Sequence, residues 1–88
     1  MYKIKYASEA DEDIAFYRKS GNTAQIKKIV RIIEELREHP ETGIGKPEKL
    51  KHKYSGFWSR RIDSKNRMIY RIEEEIVTVF IMSLKGHY

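Results

Sequence analysis

The residues whose types and spacing suit chemistry lie in the second half of the chain. Glu48 is the only acid between Glu41 and Asp63, and Lys46, Lys49 and Lys51 stand close to it. Neighbouring cations favour the carboxylate form, which accepts a proton. Arg67 and Arg71 share one face of an extended segment, and a guanidinium fork suits a phosphate. His87 stands beside Tyr88, the last residue given, and nearby negative charge favours the imidazolium that a general acid requires. A carboxylate or histidine, a second proton donor and an arginine are enough to cleave RNA without a metal. The 2′-OH attacks the adjacent phosphorus, a base takes its proton, an acid protonates the leaving 5′-oxygen, and a cation stabilises the pentacovalent phosphate. Glu48, His39, His52, His87 and several arginines are available for these roles. Each also has a plainer reading. Glu48 suits a surface pair with a lysine, Arg67 a pair with Glu73 or Asp63, and a terminal His-Tyr a frayed end.

Charge points the same way. Residues 1–44 hold 8 Lys+Arg and 8 Asp+Glu, whereas residues 45–88 hold 10 and 5, so the whole excess of +5 sits in the second half. Within 45–71 stand nine basic residues (Lys46, Lys49, Lys51, Lys53, Arg60, Arg61, Lys65, Arg67, Arg71) against Glu48 and Asp63. A concentrated basic surface points to a polyanion, most often nucleic acid. Tyr54, Phe57 and Trp58 offer base-stacking platforms, although core packing is expected for at least two of them. The absence of cysteine excludes disulfides, thiolate metal sites and a cysteine nucleophile. Three scattered histidines give no ligand spacing, so neither a metal nor a cofactor is expected. Gly43-Ile44-Gly45-Lys46-Pro47 lacks the spacing of a phosphate loop. No apolar run approaches a membrane span and no signal-peptide core is visible, so a cytoplasmic protein without membrane contact is expected.

The elements that must position these residues follow from periodicity. With 88 residues, one domain covering 1–88 is expected. Tyr2, Ile4 and Tyr6 alternate with lysines, a half-buried strand. Ser8 is expected to cap a first helix with apolar Ala10, Ile14 and Tyr17, which Ser20-Gly21-Asn22 ends. Ile26, Ile29, Val30, Ile33 and Leu36 mark the buried face of a second helix that starts near Asn22 or Thr23 and stops before Pro40. Residues 57–62, 67–72 and 76–82 read as three strands joined by short turns, the last being the most apolar and expected at the centre. The segment 48–54 has no assigned state. The order is β-α-α-β-β-β: an α+β, two-layer domain with a helix hairpin packed on a four-stranded, mostly antiparallel sheet.

The runs Gly45-Lys46-Pro47-Glu48-Lys49-Leu50-Lys51-His52 and Ser55-Gly56-Phe57-Trp58-Ser59-Arg60-Arg61-Ile62 resemble the YoeB/Txe toxins of the RelE/ParE superfamily. Arg67 with Tyr70, and His87-Tyr88, match as well. The resemblance implies a RelE-like fold and a toxin of a type II toxin–antitoxin module, an endoribonuclease that cuts mRNA in the ribosomal A site and halts translation. By position, Glu48 would be the general base, His87 the general acid and Arg67 the stabiliser of the transition-state phosphate. Tyr88 would orient substrate, and Lys51 and Arg61 would be supporting cations. The implied partners are the ribosome and mRNA, a cognate YefM/Axe-like antitoxin and a second copy of the chain. Two other classes compete: a ParE-like gyrase inhibitor, a branch that generally lacks the Glu48/Arg67/His87 set, and a non-catalytic RNA-binding module. Many relatives carry a cysteine in the approach to the tail, where this chain has Ser83-Leu84-Lys85-Gly86, and Gly86 is expected to loosen the backbone beside His87.

Overall fold

A computed structural model describes residues 1–86; His87 and Tyr88 lie outside the described residues. The chain runs β1 (Lys3–Tyr6), α1 (Ser8–Ser20), α2 (Thr23–Glu38), β2 (Glu48–Lys49), β3 (Trp58–Arg61), β4 (Arg67–Glu73) and β5 (Thr78–Ser83). The strands form one sheet in the order β1-β5-β4-β3-β2. Strands β2 to β5 are successive antiparallel neighbours, and β1 joins the far edge parallel to β5. The sheet thus has a fifth strand beyond the four expected. It is the two-residue pair Glu48–Lys49, too short for alternation to announce. The central position belongs to β4; the more apolar β5 is interior but second from the edge.

Alternation along the strands separates two faces. Met68, Tyr70, Val79 and Ile81 point to the helices and are fully buried with Ala10 and Tyr17 of α1 and Ile29, Ile32 and Leu36 of α2. Burying an aliphatic or aromatic side chain of this size is worth about 1.5–3 kcal/mol, so this layer holds the sheet in place. The helix faces differ slightly from the expected ones. Ile32 is fully buried, whereas Val30 is 49% exposed. Ile32 stands three residues after Ile29 and four before Leu36, so it occupies the inward stripe, and Val30 lies at its margin. The cap of α1 also differs. Ser8 is already helical, the cap position is Ala7, and no side chain bonds the free N–H groups there. Glu9 and Asp11 still place negative charge on the positive helix end. Asn22 caps α2, its Oδ1 accepting from the Gln25 N–H at 3.1 Å.

Candidate nucleic-acid interface

The face of the sheet away from the helices carries the candidate residues, and register places them. Glu48 pairs with Ser59, and Ser59 pairs with Ile69. Paired residues point to the same side. Arg61 pairs with Arg67 on that same side, so Glu48, Arg61 and Arg67 share one face. Glu48 lies two strands from β4, and Arg67 two residues along it from Ile69. Strand spacing and rise then separate their Cα atoms by about 12 Å, a span that long side chains and a bound nucleotide can bridge. Directly opposed like charges destabilise an antiparallel pair. The Arg61–Arg67 pair therefore sets two positive charges side by side at this end of the face. Arg61 is exposed and Arg67 partly so.

The same face carries further charges, and Glu73, in the row of Lys3, offsets one of the cations. Arg71 pairs with Phe80, which pairs with Lys5, in one row across β4, β5 and β1. The Arg71 guanidinium lies 4.3 Å from the centre of the Phe80 ring and also pairs with Glu73. Lys3 and Lys5 come from the electrically balanced half of the sequence, yet folding adds them to this face. Lys51 is exposed just beyond β2, where a single 3-10 turn spans His52–Tyr54. Glu48, Lys51, His52 and Tyr54 line an open groove of about 760 Å³.

One residue counted in the basic stretch does not belong to this surface. Arg60 is fully buried. It alternates with Arg61, so it points to the helix layer, where all its N–H groups find acceptors. Nε donates to the Tyr70 hydroxyl at 3.2 Å. Nη1 donates to Glu35 Oε1 at 2.6 Å and to the Ile44 carbonyl at 3.4 Å. Nη2 donates to the carbonyls of His39 at 3.0 Å and Thr42 at 2.7 Å. The Tyr70 hydroxyl in turn donates to the Pro40 carbonyl at 2.7 Å. Burial pushes the Glu35 carboxyl up, but the Ile44 N–H, the Arg60 hydrogen bond and the Arg60 charge outweigh it and hold the carboxyl below its ordinary value. Burial likewise pushes the Tyr70 hydroxyl up, against the opposing pull of Arg60. This cluster ties the loop 39–45 to the sheet. The loop continues into Pro47 and Glu48, and the Arg61 N–H donates to the Gly45 carbonyl at 2.6 Å. Arg60 thus helps to place Glu48 rather than to contact a polyanion.

The aromatics also sort differently from expectation. Trp58 packs against the core and stacks on Tyr70, with ring centres 6.4 Å apart. Tyr54 and Phe57 are half-buried and line surface grooves instead. Ser59, opposite Glu48, is fully buried, and its hydroxyl has no partner among the described residues.

His87 and Tyr88 lie outside the described residues, but the chain leading to them is firmly placed. Gly86 has φ +80°, and it is hydrogen-bonded on both sides. Its N–H donates to Asn66 Oδ1 at 2.9 Å, and its carbonyl accepts from the Arg67 N–H at 3.1 Å. The glycine serves a fixed left-handed turn rather than a loose joint. The described chain therefore ends against the first residue of β4, beside Arg67. Asn66 and Asp63 were legible only as turn residues between β3 and β4.

Comparison with known proteins agrees with this geometry. Residues 6–88 match the family model of the YoeB-like toxin of bacterial type II toxin–antitoxin systems. The chain is 36% identical over 88 residues to Toxin RelK of Mycobacterium tuberculosis, covering 100% of both. The YoeB of the heterotetrameric YoeB–YefM toxin–antitoxin complex from Staphylococcus aureus superimposes with a TM-score of 0.84 at 31% identity, over 100% of this chain and 99% of that one. The YoeB dimer from the same organism gives a TM-score of 0.84 at 33% identity, over 99% and 98%. An α+β fold with two helices on a five-stranded sheet, and a match running through both the Glu48 segment and the β4 arginine, have one conclusion: this chain belongs to the YoeB-like toxins of bacterial type II toxin–antitoxin systems.

Proposed function

We propose that this toxin is a ribosome-dependent endoribonuclease that cuts mRNA in the A site by metal-free acid–base chemistry. The observation that carries the proposal is the exposed face on which Glu48 stands with the directly opposed Arg61 and Arg67. Glu48 takes the proton of the 2′-OH as its oxygen attacks the adjacent phosphorus. Arg67 stabilises the charge that builds on the phosphate oxygens. The bond from phosphorus to the 5′-oxygen breaks, and His87 gives that oxygen a proton, leaving a 2′,3′-cyclic phosphate and a 5′-hydroxyl. Arg61 and Lys51 add positive charge around the same phosphate, and Tyr88 orients the substrate. The tether of Gly86 beside Arg67 supports the assignment of His87, because the described chain ends one residue before it at the arginine end of the face.

The YefM complex and the dimer of the S. aureus relative support a YefM-like antitoxin and a homodimer as partners of this chain. Action on ribosomes places the protein in the cytoplasm. The test is a translation reaction with purified protein. Arrest accompanied by mRNA cut within the A-site codon supports the proposal; arrest with intact mRNA, or inhibition of gyrase supercoiling in its place, refutes it.

A further inference from the structure

We propose that Asn66 is a positioning residue for the C-terminal catalytic tail. The inference rests on the nuclease reading above and adds to it a device that holds the acid. After β5, Leu84 is fully buried in the core. Its N–H donates to Asp13 Oδ2 at 2.9 Å, and its carbonyl accepts from the Tyr17 hydroxyl at 2.6 Å. Burial, with Asp63 and Asp13 nearby, pushes that hydroxyl up to about 12, so it stays a donor. Lys85 then lies over the Phe16 ring, its Nζ 3.9 Å from the centre. These contacts fix the tail against α1 as far as Lys85. The last hold before His87 is the hydrogen bond from the Gly86 N–H to Asn66 Oδ1.

The orientation of Asn66 is determined by its surroundings. Its Nδ2 faces both oxygens of Asp63, at 3.1 and 3.2 Å. A carboxylate only accepts, so the amide must turn its NH₂ to Asp63 and its oxygen to Gly86. Asp63 is itself held by Gln25 Nε2 at 2.6 Å and by the N–H groups of Lys65 and Asn66, each at 2.8 Å. Burial pushes the Asp63 carboxyl up, but these donors outweigh it and bring it down to about 2, so it remains an acceptor throughout the neutral range. A continuous chain of bonds therefore runs from α2 through Asp63 and Asn66 to Gly86. Asn66 also precedes Arg67, so the turn that presents the phosphate-stabilising arginine is the turn that holds the tail.

The experiment measures single-turnover mRNA cleavage on programmed ribosomes for Asn66→Ala, His87→Ala and the double variant, with the backbone order parameter of the Gly86 amide as a readout independent of activity. Displacement of a positioned group by about 1 Å costs up to ~10²-fold in rate. Asn66→Ala is expected to lower the single-turnover rate constant at saturating toxin by roughly 10- to 100-fold, with the half-saturating concentration little changed, and to lower the Gly86 order parameter. In the His87→Ala background the same substitution should change the rate by less than about twofold, because residues acting as one unit are not additive. Gly86→Ala strains the left-handed turn without touching the β3–β4 connection, and it should reproduce the loss if Asn66→Ala fails to fold. An equal loss in both backgrounds, or full activity with either substitution, overturns the proposal. Full cleavage by His87→Ala overturns the nuclease role of the tail and the positioning role with it; the Gly86 order parameter then still reports whether the anchor exists.

Discussion

Removal of Arg60 should strongly destabilise this toxin, and removal of Glu35 with it should restore part of the loss. The Arg60 side chain is 0% exposed, and that of Glu35 is 17% exposed. In Arg60→Ala the carboxylate loses its 2.6 Å partner, and the carbonyls of His39, Thr42 and Ile44 and the Tyr70 hydroxyl each lose a donor. Breaking a buried pair from one side costs about 3–5 kcal/mol. The carbonyls belong to a loop that can open to water, so they add little beyond that range. A domain of this length has a total stability of about 4–13 kcal/mol, so a loss of about 4 kcal/mol removes between about a third of it and all of it. In Glu35→Ala/Arg60→Met no buried charge is left unpaired, since Arg31, which also pairs with Glu35, is exposed, and the volume is partly refilled, so the double variant should be more stable than Arg60→Ala by about 1–3 kcal/mol. Urea unfolding followed by far-UV circular dichroism measures each value. A loss below about 1 kcal/mol for Arg60→Ala, or strictly additive losses, refutes the view that this guanidinium holds the loop leading to Glu48.

Other expectations follow from local geometry. A Cβ on Gly43, at φ +129°, would clash with the Glu35 carboxylate, so Gly43→Ala should cost about 1–3 kcal/mol in urea unfolding and mimic a partial loss of the Arg60 cluster. Ser59→Ala removes a buried hydroxyl without a partner among the described residues and should be neutral or stabilising by up to about 1 kcal/mol, measured as an unchanged or raised Tm. Asp63 has a folded pKa of about 2 against an ordinary 3.8, a depressed value. Its contribution to stability is therefore present above about pH 4 and is lost as pH falls toward 2. In Asp63→Asn, acid titration of stability should be flatter across that window.

Much of this architecture is legible in the sequence because alternation and helical period report burial directly. Both helices and the strands at 58–61, 67–73 and 78–83 fall within a residue or two of where periodicity puts them. The misses have physical causes. Glu48–Lys49 is too short to show a period, yet it decides which face Glu48 takes. Ser8 has the chemistry of a cap, but the helix starts one residue earlier. Arg60 reads as surface charge when residues are merely counted. A finer signal was present: Arg60 stands two residues from both Trp58 and Ile62, so strand alternation alone puts it on the apolar side. Lys3 and Lys5 show the reverse, since only the parallel pairing of β1 with β5 brings them to the basic face. The partner of Gly86 was out of reach of any local pattern, because Asn66 and Gly86 meet across twenty residues of chain.

The most direct test of the central claim is the chemistry of the cut ends. Programmed ribosomes are treated with the toxin and with Glu48→Gln and Arg67→Ala variants of confirmed fold, and the 3′ termini of the mRNA fragments are identified. The account predicts 2′,3′-cyclic phosphate or its 3′-phosphate hydrolysis product, with a rate that falls by about 10²–10⁴-fold in Glu48→Gln and comparably in Arg67→Ala. Fragments ending in a 3′-hydroxyl, or unchanged rates in both variants, would contradict it.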